Sequence, residues 1–179
     1  TTISNLAVSL AQMGKKVLLI DADLRRPKQH RIFNMKNHDG LTNYLAMDLE
    51  LEKLIKPTIV PSLYLINSGP IPPNPAELLS SEKMSELLKI VREQFDFVLI
   101  DTPPLLAVTD AQILAKMVDG LVLVVRAEKT PREALMQTRE LIDLLKLKTF
   151  GVVINHLSLD GQGYYYRRYY RNYYKEYRG

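Results

Sequence analysis

The sequence of 179 residues is long enough for one globular domain with a sizeable core. It contains no cysteine, which excludes a disulfide framework, a zinc–thiolate site and a thiol nucleophile. No apolar run approaches the ~18 residues that a membrane-spanning helix needs, and no secretory signal pattern is present. We therefore expect a cytoplasmic soluble domain. We also expect a piece of a longer protein, because the sequence opens with Thr1-Thr2 rather than Met.

The net charge of +4 is concentrated at one end of the chain. Residues 161–179 carry five basic side chains and one acidic side chain, whereas residues 1–160 carry equal numbers of each sign. We call residues 161–179 the tyrosine tail, because they also hold eight of the ten tyrosines. Low complexity and few aliphatic residues predict that this C-terminal tail is flexible. Partners inferred from charge therefore concern the tail and not the neutral domain over residues 1–160.

Apolar periodicity predicts the elements of the neutral domain in chain order. Apolar residues at helical spacing over residues 3–13 predict a first helix, which Gly14 is placed to end. Short continuous apolar runs, typical of strands that are buried on both faces, follow along the chain. They cover residues 17–20, 97–100, 121–125 and 150–154, with residues 63–66 as a weaker fifth candidate.

Patterns that begin helices occur at three places between these strands. Thr130 is predicted as an N-cap, with Pro131 at the first helical position. Residues 74–77 repeat that pattern, and residues 109–112 form a capping box without proline. Residues 68–75, which contain four prolines, are predicted to form a rigid surface loop.

Strands that alternate with helices predict an α/β fold, in which a doubly wound, mostly parallel sheet carries helices on both faces. Ligands of such sheets bind beyond the carboxyl ends of the strands. Asp21 and Asp23 follow the first strand, and a strand extended through Asp23 places both carboxylates on one face. Asp101 ends the strand at residues 97–100 in the manner of a Walker B strand.

Two carboxylates at one strand mouth repel each other unless a cation or a proton relieves them. Mg²⁺ bound to nucleotide phosphates is a common solution, since it needs only one or two protein carboxylates. The alternative interpretation is an ordinary strand exit with solvated charges. Two strands that each bring a carboxylate to the same edge favour the magnesium site.

The sequence resembles the catalytic domain of bacterial tyrosine kinases, a deviant Walker branch of the P-loop ATPases. Residues 5–7 match the helix that follows the phosphate loop, and residues 21–25 match the Walker A′ motif. Residues 99–104 match the Walker B motif, and residues 68–81 match a proline-rich NPxELL segment. The 179 residues contain no GxxxxGK[ST] loop; by this resemblance its Lys and Ser/Thr lie immediately before Thr1. The kinase domain then covers residues 1–160, without its N-terminal part.

The resemblance implies an ATP-dependent protein tyrosine kinase that phosphorylates its own tail and regulates capsular or exopolysaccharide synthesis and export. Asp23 and Asp101 then serve Mg²⁺, while Asp21 orients the tyrosine hydroxyl and takes its proton; Asp21 and Asp23 could exchange these roles. The implied ATP-binding residues are Thr1, Thr2, Arg25 and Asn155, although Asn155 could equally cap a turn. The implied phosphoacceptors are Tyr164, Tyr165, Tyr166, Tyr169, Tyr170, Tyr173, Tyr174 and Tyr177.

The same resemblance implies a ring-shaped homo-oligomer in which the tail of one subunit enters the site of its neighbour. It also implies activation at the inner face of the plasma membrane, by a transmembrane partner or a membrane domain on the same chain. On composition alone, the tail favours single-stranded nucleic acid, with anionic lipid as a further option. The resemblance reverses that order, so no nucleic-acid partner is expected. The alternative within the wider family is a partition- or septum-type ATPase switch without kinase activity.

Overall fold

The computed structural model describes residues 2–47, 49–127 and 129–156, so the tyrosine tail lies outside the described residues. Fourteen elements follow one another along these ranges. In chain order they are α1 (Thr2–Gln12), β1 (Val17–Asp21), α2 (Gln29–Ile32), α3 (Leu41–Ala46), α4 (Leu51–Leu54), β2 (Lys56–Pro57), β3 (Leu63–Ile66), α5 (Pro75–Leu79), α6 (Glu82–Gln94), β4 (Phe97–Asp101), α7 (Asp110–Ala115), β5 (Leu121–Arg126), α8 (Arg132–Leu144) and β6 (Thr149–Asn155).

The strands form a four-stranded sheet in the order β2-β3-β1-β4 and a two-stranded sheet of β5 and β6. β1 runs parallel to both β3 and β4, β5 runs parallel to β6, and the short β2 is antiparallel to β3. The five predicted strands and the mostly parallel α/β architecture are confirmed. The sequence did not predict β2 or the short helices α2, α3 and α4, which lie between β1 and β3.

β1 lies at the centre of the four-stranded sheet and is buried along its whole length. Its alternate side chains enter two apolar clusters, one on each face of the sheet. Leu18 packs with Leu87 of α6 in one cluster, and Leu19 packs with Ala7 of α1 in the other. Burial on both faces explains why β1 reads as a continuous apolar run rather than an alternating one.

The pair β5 and β6 is much more exposed than the four-stranded sheet. Val122 and Val124 of β5 and Val152 and Ile154 of β6 each keep roughly half of their surface open. Phe150 is exposed too, and its ring lies against Gly120. The apolar core of the described residues is therefore built around β1, β3 and β4.

The first helix with its end at Gly14 and the helix start at residues 74–77 are both confirmed. Gly14 follows α1 in a left-handed conformation with φ of 80°, which ends the helix at little steric cost. α5 begins as predicted, with Asn74 as its N-cap and Pro75 at the first helical position.

The other two patterns correspond to contacts that local sequence did not predict. Pro131, and not Thr130, is the N-cap of α8, and the Thr130 hydroxyl accepts the backbone N–H of Arg126 at 3.1 Å. That bond closes the turn after β5 and takes the hydroxyl away from the helix. The helix start at residues 109–112 is confirmed with Thr109 as the N-cap of α7, but the capping box does not form, because the Gln112 side chain donates to the backbone of residue 105.

The proline-rich segment is a loop, as predicted, but it starts in the interior rather than at the surface. Ser68 is fully buried, and its carbonyl oxygen accepts the N–H of Thr42 at 2.8 Å. Asn67 likewise accepts the N–H of Leu41 at 2.7 Å. The loop therefore supplies acceptors to the first N–H groups of α3, which a helix cannot satisfy itself.

Among the described residues, no helix is both long and apolar enough to cross a membrane.

Gly40→Ala should destabilise the fold, because a Cβ at this position would meet the backbone of Asn67, Ser68 and Gly69 well inside van der Waals contact. The neighbouring atoms are backbone that already bonds α3, so they cannot move aside cheaply. We expect a loss of about 1–3 kcal/mol or more in the free energy of unfolding, measured by urea denaturation.

Gly151→Ala is the matched control, since nothing lies within 4 Å of a Cβ built there. It should change the unfolding free energy by less than about 0.5 kcal/mol. Equal stabilities for the two variants would contradict the close packing of the 67–69 segment on Gly40.

Candidate active site

Two carboxylates lie side by side at the carboxyl edge of the main sheet. Asp21 is the last residue of β1, Asp101 is the last residue of β4, and the two are register partners in neighbouring parallel strands. The fold therefore brings together two side chains that are 80 positions apart in the sequence. This is the arrangement predicted for two apolar strands that each end in an acid.

Asp21 is completely buried and is held by the backbone that follows it. Its Oδ2 accepts the N–H of Gln29 at 2.9 Å and the N–H of Lys28 at 3.1 Å. Its Oδ1 is buried and has no hydrogen-bond partner among the described residues. The two N–H groups thus fix Oδ2 of this carboxylate, whereas Oδ1 faces no hydrogen-bond donor among the described residues.

Burial raises the pKa of both carboxyl groups. The pKa of Asp21 is raised to about 6, chiefly by burial and further by the charges of Asp101 and Asp23, while the two backbone N–H donors oppose the rise. The pKa of Asp101 is also raised, again mainly by burial, and the hydrogen bond from Gln29 opposes it. Such a pair of carboxyl groups, with raised pKa values at a strand edge, is typical of functional sites.

The strand does not extend through Asp23, so the condition under which Asp21 and Asp23 would share a strand face is not met. β1 ends at Asp21, after which the Ala22 N–H bonds to the carbonyl of Asp101 and the chain turns. Asp23 lies in this turn, half-buried, and its Oδ1 accepts the N–H of Arg26 at 3.0 Å. The buried side chain of Leu24 follows it into the core. Asp23 therefore approaches the site from the turn rather than from the strand.

Arg25 forms a two-pronged ion pair with Asp110, the first residue of α7. Its Nε and Nη2 lie 2.8 Å and 3.0 Å from the two carboxylate oxygens, in the geometry typical of arginine and carboxylate. Asp110 is fully buried, whereas Arg25 is partly exposed. The pair ties the turn that carries Asp23 to α7.

Asn155 and Thr2 lie together where β6 ends and α1 begins. The Asn155 Nδ2 donates to Thr2 Oγ1 at 3.0 Å, and the Asn155 Oδ1 accepts the N–H of His156 at 2.8 Å. The second bond is to the next backbone N–H, and both turn capping and contact with adenine stay predictions for Asn155. Thr1 and the eight tail tyrosines lie outside the described residues.

Gln29 connects these parts and was missed in the sequence. Its Nε2 donates to Asp101 Oδ2 at 2.6 Å, its Oε1 accepts the hydroxyl of Ser4 in α1 at 2.8 Å, and its backbone N–H bonds Asp21. No sequence pattern marks this glutamine. Asp110 was also missed, because its surroundings match a helix cap.

The donor set at this edge fits a magnesium ion that is shared with a phosphate. Among the described residues, no cluster of three or more acidic or histidine side chains could hold a metal ion alone. Mg²⁺ commonly binds one or two carboxylates and completes its shell with water and phosphate oxygens. Asp101 at the end of β4, with Asp23 in the turn after β1 close enough for its charge to act on Asp101, offers that incomplete set.

The raised pKa of Asp21 predicts how stability depends on pH. The folded pKa of about 6 exceeds the unfolded value of about 3.9, so the folded state binds the proton more tightly. Stability therefore falls as the pH rises from about 4 to 6, and the loss is complete above pH 6. Asp21→Asn should remove the share of this dependence that comes from Asp21 and raise the unfolding free energy at pH 7 by about 3 kcal/mol.

Urea denaturation between pH 4 and pH 8 measures this difference. Asp143→Asn, at an exposed carboxylate on α8, is the control and should follow the unsubstituted protein throughout. Parallel stability curves for Asp21→Asn and the unsubstituted protein would show that Asp21 titrates alike in the folded and unfolded chain.

Comparison with known proteins agrees with this geometry. A family model described as an AAA domain matches residues 1–154. The tyrosine-protein kinase YwqD of Bacillus subtilis is 46% identical over 168 residues, which cover 92% of this chain and 71% of that protein. The putative tyrosine-protein kinase CapB of Staphylococcus aureus is 39% identical, with 91% and 72% covered. The tyrosine-protein kinase ptk of Acinetobacter johnsonii is 42% identical, but the match spans only 22% of its length.

Solved structures of tyrosine kinases and of a septum protein are also similar to this chain. The kinase domain of Escherichia coli tyrosine kinase ETK has a TM-score of 0.85 at 35% identity, with 91% of this chain and 64% of that chain covered. The chimerical protein CapA2B2 has a TM-score of 0.83 at 40% identity, covering 87% and 69%. The septum site-determining protein MinD of Pyrococcus horikoshii, complexed with Mg-ADP, has a TM-score of 0.71 at 25% identity, covering 85% and 62%.

The P-loop ATPase fold implies nucleotide binding, and the relatives with the higher identities carry the name of kinases rather than of septum proteins. The chain belongs to the AAA-domain family and, within it, to the bacterial tyrosine-protein kinases.

Proposed function

We propose that this tyrosine kinase transfers the γ-phosphoryl group of ATP to tyrosine hydroxyls of its own tail, at the edge where Asp21 and Asp101 meet. The observation that carries the proposal is the buried Asp21 beside the partly buried Asp101, with one oxygen of Asp21 lacking a partner among the described residues. In the transition state of phosphoryl transfer, positioning of the reactants and neutralisation of charge supply most of the catalysis.

Asp101 and Asp23 are the candidates to hold Mg²⁺, directly or through water. Mg²⁺ bound there would neutralise the negative charge that develops on the phosphate oxygens. Asp101 comes from the rigid end of β4, whereas Asp23 comes from the turn that the Arg25–Asp110 ion pair fixes. ATP would enter beside the start of α1, with Thr1, Thr2, Arg25 and Asn155 as candidate contacts and a phosphate loop supplied by residues ahead of Thr1.

Asp21 is the candidate to orient the tyrosine hydroxyl and accept its proton. Its Oδ2 is fixed by two backbone N–H groups, so Oδ1 is held in one place to receive a hydrogen bond. A fixed position matters more than basicity here, because proton transfer is late in a loose transition state.

The tail tyrosines are the proposed phosphoacceptors. Each phosphate adds about −1.5 to −2 charges, so two or three cancel or reverse the +4 of the tail. The tail would then change from attracting acidic surfaces to repelling them. The tail of one subunit is proposed to enter the site of its neighbour in a ring, with no nucleic acid involved.

The cellular role we propose is regulation of capsular or exopolysaccharide synthesis at the inner face of the plasma membrane. A relative in Klebsiella pneumoniae is named a putative tyrosine-protein kinase in the cps region. The matches to it and to ptk span 18% and 22% of those proteins, which leaves room for other domains on the same chain. A membrane domain or a separate transmembrane activator is therefore proposed as the partner.

Removal of either carboxylate should abolish autophosphorylation. In protein expressed from its natural gene, Asp21→Asn and Asp101→Asn should each lower the rate at least about 100-fold, through loss of the proton acceptor and of a metal partner. Incubation with Mg-ATP followed by mass-spectrometric mapping of phosphotyrosine measures the rate and the sites. Asp143→Asn on the exposed face of α8 is the control and should keep the unsubstituted rate.

Two outcomes would contradict the proposal. Undiminished labelling in both variants would remove Asp21 and Asp101 from the mechanism. ATP hydrolysis with no phosphotyrosine in the unsubstituted protein would favour the septum- or partition-type switch instead.

A further inference from the structure

Gln29 is a buried glutamine whose hydrogen-bonding groups meet three separate parts of the fold. It is the first residue of α2 and is 1% exposed. It contacts Asp21 at the end of β1, Asp101 at the end of β4 and Ser4 in α1. Two of these partners lie 25 and 72 positions away in the sequence, so the contacts are a product of the tertiary fold.

The chemistry of the partners fixes the orientation of the amide. An ionised carboxylate only accepts hydrogen bonds, so the Gln29 NH₂ group must face Asp101. The carbonyl oxygen then faces the Ser4 hydroxyl, which can donate to it. Neither methionine nor glutamate, the two side chains nearest in size, can make both bonds in this place.

Through these bonds a single residue fixes one oxygen of each acidic group. The Gln29 backbone N–H holds Oδ2 of Asp21, and its side chain holds Oδ2 of Asp101 at 2.6 Å. The oxygen of Asp21 that remains is the buried Oδ1 without a partner among the described residues. The backbone N–H groups of Lys28 and Gln29 together determine which oxygen of Asp21 is left without a partner.

We propose that Gln29 is a positioning residue of the kinase, whose side chain sets the orientation of Asp101 and links it to α1 through Ser4; this rests on the proposed function of Asp21 and Asp101. The neutral amide holds Asp101 and the backbone N–H of the same residue holds Asp21, so neither bond adds a charge. Because Ser4 belongs to the helix at whose start ATP is proposed to bind, the bond from Ser4 to Gln29 couples the phosphate side of the site to the acidic side.

The test replaces the amide and keeps its size. Gln29→Met, in protein expressed from its natural gene, should lower kcat for autophosphorylation by about 10- to 100-fold and leave KM for ATP within about threefold. The Mg²⁺ concentration needed for half-maximal binding of a fluorescent ADP analogue should rise about tenfold. Gln29→Glu should be more harmful than Gln29→Met, since it removes the donor and adds a third buried negative charge.

Two further variants separate positioning from folding. Ser4→Ala leaves the bond from Gln29 to Asp101 intact, so its kcat should fall less than that of Gln29→Met. Thr138→Val is the control, because it removes a buried hydroxyl that bonds Ala134 within α8, away from the acidic residues. Thermal unfolding of each variant shows how much of any change comes from stability.

Unchanged kcat and Mg²⁺ dependence in Gln29→Met would overturn the proposal. Equal losses in Gln29→Met and Thr138→Val would overturn it too, since both would then act through stability. Absence of phosphotyrosine in the unsubstituted protein would overturn the proposed function instead; the Mg²⁺ dependence of nucleotide binding would still decide the role of Gln29.

Discussion

The burial of Asp21, next to the partly buried Asp101 on the neighbouring strand, is the constraint on which the rest of the site depends. Asp21 and Asp101 lie at register positions where their side chains come close, and burial opposes their ionisation. The chain offsets this with donors from one short segment: two backbone N–H groups and one amide at residues 28–29. The arrangement is only partly compensated, because the Oδ1 of Asp21 keeps no partner among the described residues. Strain of this kind is commonly tolerated where function requires it.

Long-range contacts hold the acidic edge in place from two directions. Ser4 connects it to α1 through Gln29, and Arg25 connects the turn after β1 to Asp110 of α7. Both contacts join segments that the core already fixes, since α1 packs on β1 and Asp110 is fully buried. The turn that carries Asp23 is therefore held by Arg25 within it and by Gln29 where α2 begins, although it contains no regular secondary structure.

The strands and the meeting of Asp21 with Asp101 followed from the sequence, because each strand is an uninterrupted apolar run and two of these runs end in an acid. The path after β1 did not follow from local sequence, since the strand ends at Asp21 and Leu24, three positions on, is buried in the core. The residues around Asp110 match a helix cap, but its carboxylate pairs with Arg25, which lies 85 positions away in the sequence. Gln29 carried no signal, because its role exists only once three distant segments have met.

The bond between Asn155 and Thr2 places the exit of the last strand beside the entrance of the first helix. Under the proposed function, a tail held in a ring of subunits is a tethered substrate, whose local concentration at the neighbouring site would be set by tether length, on the order of millimolar. A tyrosine on another protein would then have to compete with the tail for the same site. Binding of the tail would therefore set the concentration that such a substrate needs.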